Sequence, residues 1–303
     1  MYNFLLASLS SEDWEELLDG LKANRCVPFI GAGASSPWFP LAGEIAQKWA
    51  NDHGYPLKDS RNLSRIAQFL AIKTDNDMYP KNILSRKVKQ VQPPDFRLEE
   101  LKHTTYSVLA DFNLPIYITT NYDKFMEAAL KSSGKDPVTE FCRWNRLGDA
   151  AGIASIFDEA QYVPTSYRPL VYHLHGVFDK PQSMVLSEDD YIDFMVNLSN
   201  NRDIVPTAIR QLLSTSSIIF IGYSLEDLNF RIIFRSIIEY LGQRFQLSSV
   251  AVLLPPDRET ENGDQAQSYL ERYARKMFNT KVYWGYADEF SVELRKRWND
   301  SIR

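Results

Sequence analysis

The sequence predicts an α/β fold: a mostly parallel, six-stranded sheet with helices on both faces and a helical insert. Three observations carry that expectation. Six short segments, at 26–31, 115–120, 170–174, 217–222, 250–254 and 281–285, are nearly continuous apolar runs, as strands covered on both faces must be. Helical patterns separate several of them, and strands alternating with helices build a parallel, doubly wound sheet. One gap, between Gly33 and Pro115, is too long for a simple crossover and is mostly helical in pattern, with Leu63, Ile66, Ala67 and Leu70 on one stripe.

The elements follow in order. Ser10 or Ser11 caps a first helix, Glu12 and Asp13 suit its positive end, and Trp14, Leu17, Leu18 and Leu21 recur at helical spacing. The first strand then runs into FIGAGASS at 29–36. An insert of about 42–112 comes before the second strand, which ends in TTNYD and leads into a helix from Lys124. The stretch FCRWNRLGDAAGIASIFDEAQ, at 141–161, has no clear period. The third strand ends in HLHG, and VLSEDDYIDF reads as a capping box at Ser187 to Asp190. A helix at 227–240 carries Phe230, Ile233, Phe234 and Ile237 on one side, after the fourth strand. All of this is read as one domain spanning 1–303.

Composition narrows the function. The 303 residues carry a net charge of −5, which argues against general affinity for nucleic acid. The two cysteines, Cys26 and Cys142, are too few for a disulfide scaffold or a four-thiolate zinc site. The N-terminus has no basic leader, and no apolar run approaches the roughly 20 residues of a membrane helix. The expectation is a cytoplasmic protein that holds no metal, meets no membrane and makes no direct nucleic-acid contact.

Four motifs carry chemistry, each with a plainer alternative. Gly31 and Gly33 end a strand before a helix, so the backbone there either approaches an anion or simply turns; Ser36 replaces the third glycine of the dinucleotide fingerprint, and no lysine makes it a Walker loop. Asn121 and Asp123 stand at the carboxyl end of a parallel strand, where open α/β sheets bind ligands, or else they cap the next helix. His173 and His175 share a strand face: one is a natural general base, the other structural, and no third residue at metal spacing joins them. His53 and His103 fall in the insert and are read as structural. Gly222 and Ser224 follow the fourth strand, where Ser224 either caps a helix or binds a ribose or phosphate, and Glu226 and Asp227 suit the helix N-terminus.

Taken in order, GAGAS, TTNYD, HLHG and GYS each follow a predicted strand, and here the sequence resembles the sirtuin family, whose motifs run GAG-x-S, T-Q-N-x-D, H-G and G-T-S. The likeness spans about 31 to 227. LSEDDY after HLHG, and GYSLEDLN, look like the bacterial sirtuin-like NAD hydrolases of antiphage defence rather than the protein deacylases. Residues 177–221 hold no cysteine, where deacylases carry a zinc module, and SPWFPLAGE stands where they have a loop with Asp-Phe-Arg.

The resemblance implies a Rossmann-like core and an NAD glycohydrolase, with NAD as substrate and depletion of NAD in abortive infection as its role. It places Asn121 on the attacking water or the ribose, His175 as base, and Asp123 on the nicotinamide carboxamide. The amides of 31–35 (Gly31, Ala32, Gly33 and Ser35 among them) would hold the pyrophosphate, with Thr120 beside them. Gly222 and Ser224 would face the adenosine half, and Asp227 its ribose. A protein deacylase and a non-catalytic sensor of NAD or ADP-ribose are the alternatives. With no sensor segment in view, restraint is expected from assembly: a homo-oligomer, and a partner such as a HerA-type ATPase or, alternatively, a short Argonaute.

Overall fold

The computed structural model describes residues 9–145, 153–158, 162–224, 248–255 and 263–302. Seven strands form one sheet in the order β3-β4-β2-β1-β5-β6-β7. They are β1 (Cys26–Ile30), β2 (Ile116–Thr119), β3 (Val138–Phe141), β4 (Leu170–His173), β5 (Ser217–Ile221), β6 (Ser249–Leu253) and β7 (Thr280–Trp284). Every pairing is parallel, so all seven carboxyl ends point the same way. The six expected strands are present, and the Rossmann-like α/β class holds. The seventh, β3, is an addition: VTEF is short and mixed in polarity, because it forms the sheet's edge and its first two residues are only half-buried.

The sheet's two faces are legible in the period of two along each strand. Val27 and Phe29 of β1, Ile218 and Phe220 of β5, and Ala251 and Leu253 of β6 face one core. That core is closed by α7 (Glu188–Asn200), α8 (Thr207–Thr215) and α9 (Gly263–Phe278), through residues such as Phe194, Ile209 and Leu270. Cys26 and Ile30, Ile219 and Ile221, and Val250 and Val252 face the other. It is closed by α1 (Ser11–Lys22), α5 (Thr105–Asp111), α6 (Phe125–Ser132) and α10 (Ala287–Ser301). Burying one such Leu, Ile or Phe side chain contributes about 1.5–3 kcal/mol, so these two layers dominate the stability of the core.

A third apolar cluster joins α2 (Ala42–His53), α3 (Leu63–Thr74) and α4 (Met78–Gln90) through Ile45, Trp49, Ile66, Leu70, Leu84 and Val88. Polar contacts fasten this group to α7. Lys81 meets Asp190 at 2.6 Å with both side chains nearly buried, Arg65 meets Glu188 at 3.1 Å, and Gln68 bonds Asp189 at 2.8 Å. Asp190 also closes the capping box expected at Ser187, accepting from the Ser187 amide while the Ser187 hydroxyl accepts from its own. The helix expected at 227–240 lies outside the described residues.

Topology places the crevice. From β1 the chain first builds β2, β4 and β3 on one side, then crosses to β5 on the other. The reversal falls at β1, and ligands of open α/β sheets bind outside the carboxyl ends at such a switch point.

Candidate functional site

At the carboxyl ends of β1 and β5 the two backbones touch. A Cβ on Gly31 would stand 2.6 Å from the Gly222 carbonyl oxygen, and one on Gly222 would stand 2.6 Å from the Ala34 nitrogen. Gly222 also has a φ of +81°, which side-chain-bearing residues rarely adopt. These glycines therefore serve close packing of two strand ends. The contact consumes amides: Gly31 donates to Ile221 O at 2.8 Å, Gly33 to Gly222 O at 3.0 Å, and Ala34 to Gly31 O at 3.1 Å.

Beside this turn lies a buried polar network. Asn121, just past β2, donates from Nδ2 to the Gly31 carbonyl at 3.0 Å, and the same nitrogen reaches Ser35 Oγ at 3.1 Å and Tyr106 Oη at 3.2 Å. A carbonyl can only accept, so the orientation of the Asn121 amide is settled: its nitrogen faces inward, and its oxygen carries no hydrogen bond among the described residues. Ser35 donates to Asp123 Oδ2 at 3.0 Å, so Tyr106 must donate to Ser35 across their 2.6 Å contact. Burial holds the Tyr106 phenol well above its usual pKa, and therefore protonated.

Asp123 does two things at once. Its Oδ1 accepts from the Phe125 amide at 3.0 Å, capping α6, and its Oδ2 takes Ser35. Burial pushes its pKa up to about 6, against the lowering effect of those two hydrogen bonds and of His173. Thr120, next to Asn121, donates to Tyr223 Oη at 2.8 Å, since Tyr223 gives its own proton to the Ile30 carbonyl at 2.9 Å.

The two histidines separate as sharply as their neighbours do. His173 is wholly buried, with Nδ1 on the Asn121 carbonyl and Nε2 on Glu127 Oε1, both at 2.9 Å. Burial alone would depress it, but the charge and hydrogen bond of Glu127 outweigh that, and the net shift is upward. Burial would likewise raise Glu127, but the charge of His173 holds it low. His175 is 3% exposed, and its buried Nε2 has no partner among the described residues. Its ring packs in T-shaped geometry with those of Tyr191 and Phe194, and burial lowers its pKa to about 3.

A cavity of about 760 Å³ opens over these groups. Ala32, Ser35, Thr120, Asn121, Asp123, His175, Gly222 and Ser224 all line it, so the strand ends bring most of the expected site residues together. Gly31 and Gly33 stand behind the wall rather than on it, and Asp227 lies outside the described residues. Another wall comes from α2, α3, α4 and the loop before α3, including Gly43, Arg61, Ser64 and Leu84. Reading the sequence missed Tyr106, Tyr191, Tyr223, Arg61 and the Glu127 partner of His173. Of these, Tyr223 sits inside GYS and Tyr191 inside LSEDDY, two of the quoted motifs. Among the described residues no helix is long and apolar enough to cross a membrane.

The chain is similar in sequence to several known proteins. An NAD(+) hydrolase ThsA from Cytobacillus dafuensis is 26% identical over 76% of this chain and 41% of its own length. One from Acinetobacter baumannii (strain 532279) is 21% identical over 95% of this chain and 54% of its own length. Defense-associated sirtuin 2 of Bacillus subtilis is 25% identical over 71% of this chain and 19% of its own length. The chain thus spans about half or less of each of these relatives. Residues 115–278, more than half of the chain and inclusive of Asn121, His175 and Gly222, match the SIR2-like domain model, and the chain belongs to that family.

Proposed function

We propose that this protein is an NAD hydrolase that cleaves the bond between nicotinamide and ribose, giving nicotinamide and ADP-ribose. The observation that carries the reading is His175: a buried imidazole whose Nε2 has no partner among the described residues, in a residue that lines the same cavity as Asn121 with its oriented amide. A buried polar atom without a partner costs about 1–3 kcal/mol, so this nitrogen is consistent with a group that a ligand or a water completes. The family membership and the relatives' names support NAD as that ligand.

The reaction asks little of the protein. The nicotinamide nitrogen of NAD is cationic, and the electron pair of the breaking C1′–N bond neutralises it, so the leaving group needs no acid. Water then adds to C1′ and releases a proton. What remains is to hold the ribose, support the developing oxocarbenium ion and position the water. Asn121 presents its amide oxygen to that water or to a ribose hydroxyl. His175, neutral at all ordinary pH, accepts a hydrogen bond from a ribose hydroxyl. Asp123 faces the carboxamide, and its charge favours the cationic transition state. Thr120 and Ala32 border the same ligand, while Ser224 and Gly222 flank its adenosine half.

In this reading the activity serves antiphage defence by depleting NAD, as abortive infection. Host survival then demands restraint through a homo-oligomer, or through a partner such as a HerA-type ATPase or a short Argonaute. The direct test is incubation of purified protein with NAD, alone and with candidate partners, following nicotinamide and ADP-ribose by chromatography. Stoichiometric release of both supports hydrolysis. Tight NAD binding with no product under any condition would leave a sensing module instead.

A further inference from the structure

Tyr106 belongs to none of the four motifs and does not line the cavity, yet its hydroxyl joins the polar network behind the cavity wall. It comes from α5, in the long segment between β1 and β2, and is 1% exposed. The rings of Trp38, Phe96 and Phe125 surround it, each with its centroid 6.0 Å away. Packing therefore sets the place of the ring whether or not the hydroxyl is there. The start of α5 is anchored as well: the amide and hydroxyl of Thr105 both donate to Asp288 of α10, at 3.0 and 2.9 Å.

The donors of this network run in one direction. Asn121 Nδ2 gives to Tyr106 and Ser35, Tyr106 gives to Ser35, and Ser35 gives to Asp123 Oδ2. Burial keeps the phenol protonated, and the carboxylate at the end of the chain can only accept. Hydrogen bonds in such a chain polarise one another, so the charge of Asp123 is felt at Asn121. Its nitrogen is drawn inward, and Oδ1 is left without a hydrogen bond among the described residues, on a residue that lines the cavity. Turned round, the amide would set its oxygen against the Gly31 carbonyl, 3.0 Å away, acceptor against acceptor.

We propose that Tyr106 is a positioning residue of this site, linking the Asn121 amide to Ser35 and Asp123 so that the Asn121 oxygen is held for the substrate. The assignment rests on the reading of the cavity as the site of NAD hydrolysis. Tyr106 stands behind the wall and acts through Asn121 and Ser35. Its hydroxyl also strengthens Ser35 as a donor to the Asp123 carboxylate. The titratable groups acting on Asp123 are His173 at the end of β4, Glu127 of α6 and Tyr106 itself. With the first two unchanged and the phenol gone, Asp123 takes up its proton at a pH above its present value of about 6.

The test compares Tyr106→Phe with Tyr117→Phe. Tyr117 is as deeply buried, but its hydroxyl donates to the carbonyls of Leu109 and Phe112, and none of these three residues lines the cavity. Both variants keep their rings, and thermal melting checks that they fold. Tyr106→Phe should lower kcat for NAD by roughly 10- to 100-fold, as misplacing a reacting group by up to about 1 Å does, while KM holds. The acid limb of its rate should move above pH 6. Tyr117→Phe should melt lower yet keep both kcat and the limb. The Asp123 carboxyl band in the infrared, identified by its loss in Asp123→Asn, follows the same titration without turnover. Fluorotyrosine at position 106, a stronger donor that keeps the bond, should move that titration down, a direction no packing defect gives. A Tyr106→Phe protein that loses only stability, as Tyr117→Phe does, overturns the proposal. So does a rise in KM with kcat unchanged, or an Asp123 titration that stays in place. A titration that moves as stated, in a protein that never cleaves NAD, would keep the link from Tyr106 to Asp123 and refute the hydrolase.

Discussion

His173 donates from Nδ1 to the main-chain carbonyl of Asn121 at 2.9 Å, while its Nε2 meets Glu127 at the same distance. The carbonyl can only accept, so Nδ1 carries a hydrogen, and Glu127 stabilises the charged ring. The Asn121 amide N–H is held in turn by Thr119 Oγ1 at 3.0 Å. One buried ion pair therefore fixes the backbone of the residue proposed to act on the substrate.

Removing one partner of that pair should be costly. Glu127→Ala leaves a buried imidazole without its counter-charge, a change worth about 3–5 kcal/mol. Glu127→Gln is expected to cost distinctly less, because its amide can donate to Nε2 while Nδ1 keeps its bond to Asn121. Urea unfolding of both variants gives the answer. Equal losses would show that the charge on the pair contributes little and that only shape matters.

Asn121 has three inward contacts from one nitrogen. Asn121→Ala should remove NAD turnover by about 10²–10⁴-fold, the usual range for a group that acts on the transition state. Loss of its donors should also destabilise by about 1 kcal/mol, since Gly31 O keeps only its bond from the Ala34 amide and the Tyr106 and Ser35 hydroxyls lose a donor. Turnover within a few-fold of the wild type, in a folded variant, would remove Asn121 from the reaction.

Asp123 connects function with pH. Its folded pKa of about 6 lies above the ordinary 3.8, so the folded protein holds this proton more tightly than the unfolded chain does. The associated stability is present below pH 3.8 and is lost as pH rises to about 6, by about 3 kcal/mol for a shift of this size. Asp123→Asn should therefore raise the melting temperature at pH 7.5. Turnover should fall as pH drops through about 6, and this limb should vanish in the variant along with most of the rate. A variant less stable than the wild type at pH 7.5 would contradict the assignment of a costly buried charge.

What could be read from the sequence, and what could not, follows from how local each feature is. Asn121, His175 and Gly222 were legible because each sits within two residues of a strand's carboxyl end, where the sheet alone puts it in the crevice. Tyr106 and Arg61 were not, because each reaches the site from the long segment between β1 and β2, Tyr106 on α5, which packs against the sheet, and Arg61 beside α3, which is held to α7 by contacts such as Arg65 with Glu188. The glycines were found, with an anion site and a plain turn both left open. A G-x-G turn can feed an anion or admit a second strand end, and only the 2.6 Å approach to Gly222 distinguishes the two. The strand at Val138–Phe141 escaped because an edge position lets Val138 and Thr139 stay half-exposed, so no apolar run forms.

Gly222→Ala tests that packing. The added methyl group would meet Ala34 N and Gly31 O at 2.6–2.7 Å, both backbone atoms with little room to give, at a φ that disfavours alanine. Strain of this kind costs about 1–3 kcal/mol, and the overlap adds to it. The expected result is a clearly lower melting temperature together with weakened NAD binding, since the β1 turn must shift. An unperturbed protein would mean that the turn has slack which the structure does not show.

His175 gives the sharpest test of the proposed site. Its neutral form predominates above about pH 3, so between pH 5 and 8 it neither gains nor loses charge. If it acts by accepting a hydrogen bond from the ribose, His175→Ala should lower turnover by about 10²–10⁴-fold without altering the shape of the pH profile. A histidine titrating near 6.5 would instead impose its own acid limb, and the variant would abolish that limb. Stability adds a second reading. Nε2 has no hydrogen-bond partner among the described residues to lose, so the variant should lose mainly the packing beside Tyr191 and Phe194. Asn or Gln at this position restores a polar group but not the reach of Nε2, and should recover stability more than rate. Rate–pH profiles of the wild type and His175→Ala, measured on the same protein preparations as their melting curves, decide the matter. A pH limb that disappears with the imidazole would replace the hydrogen-bond acceptor with a titrating base.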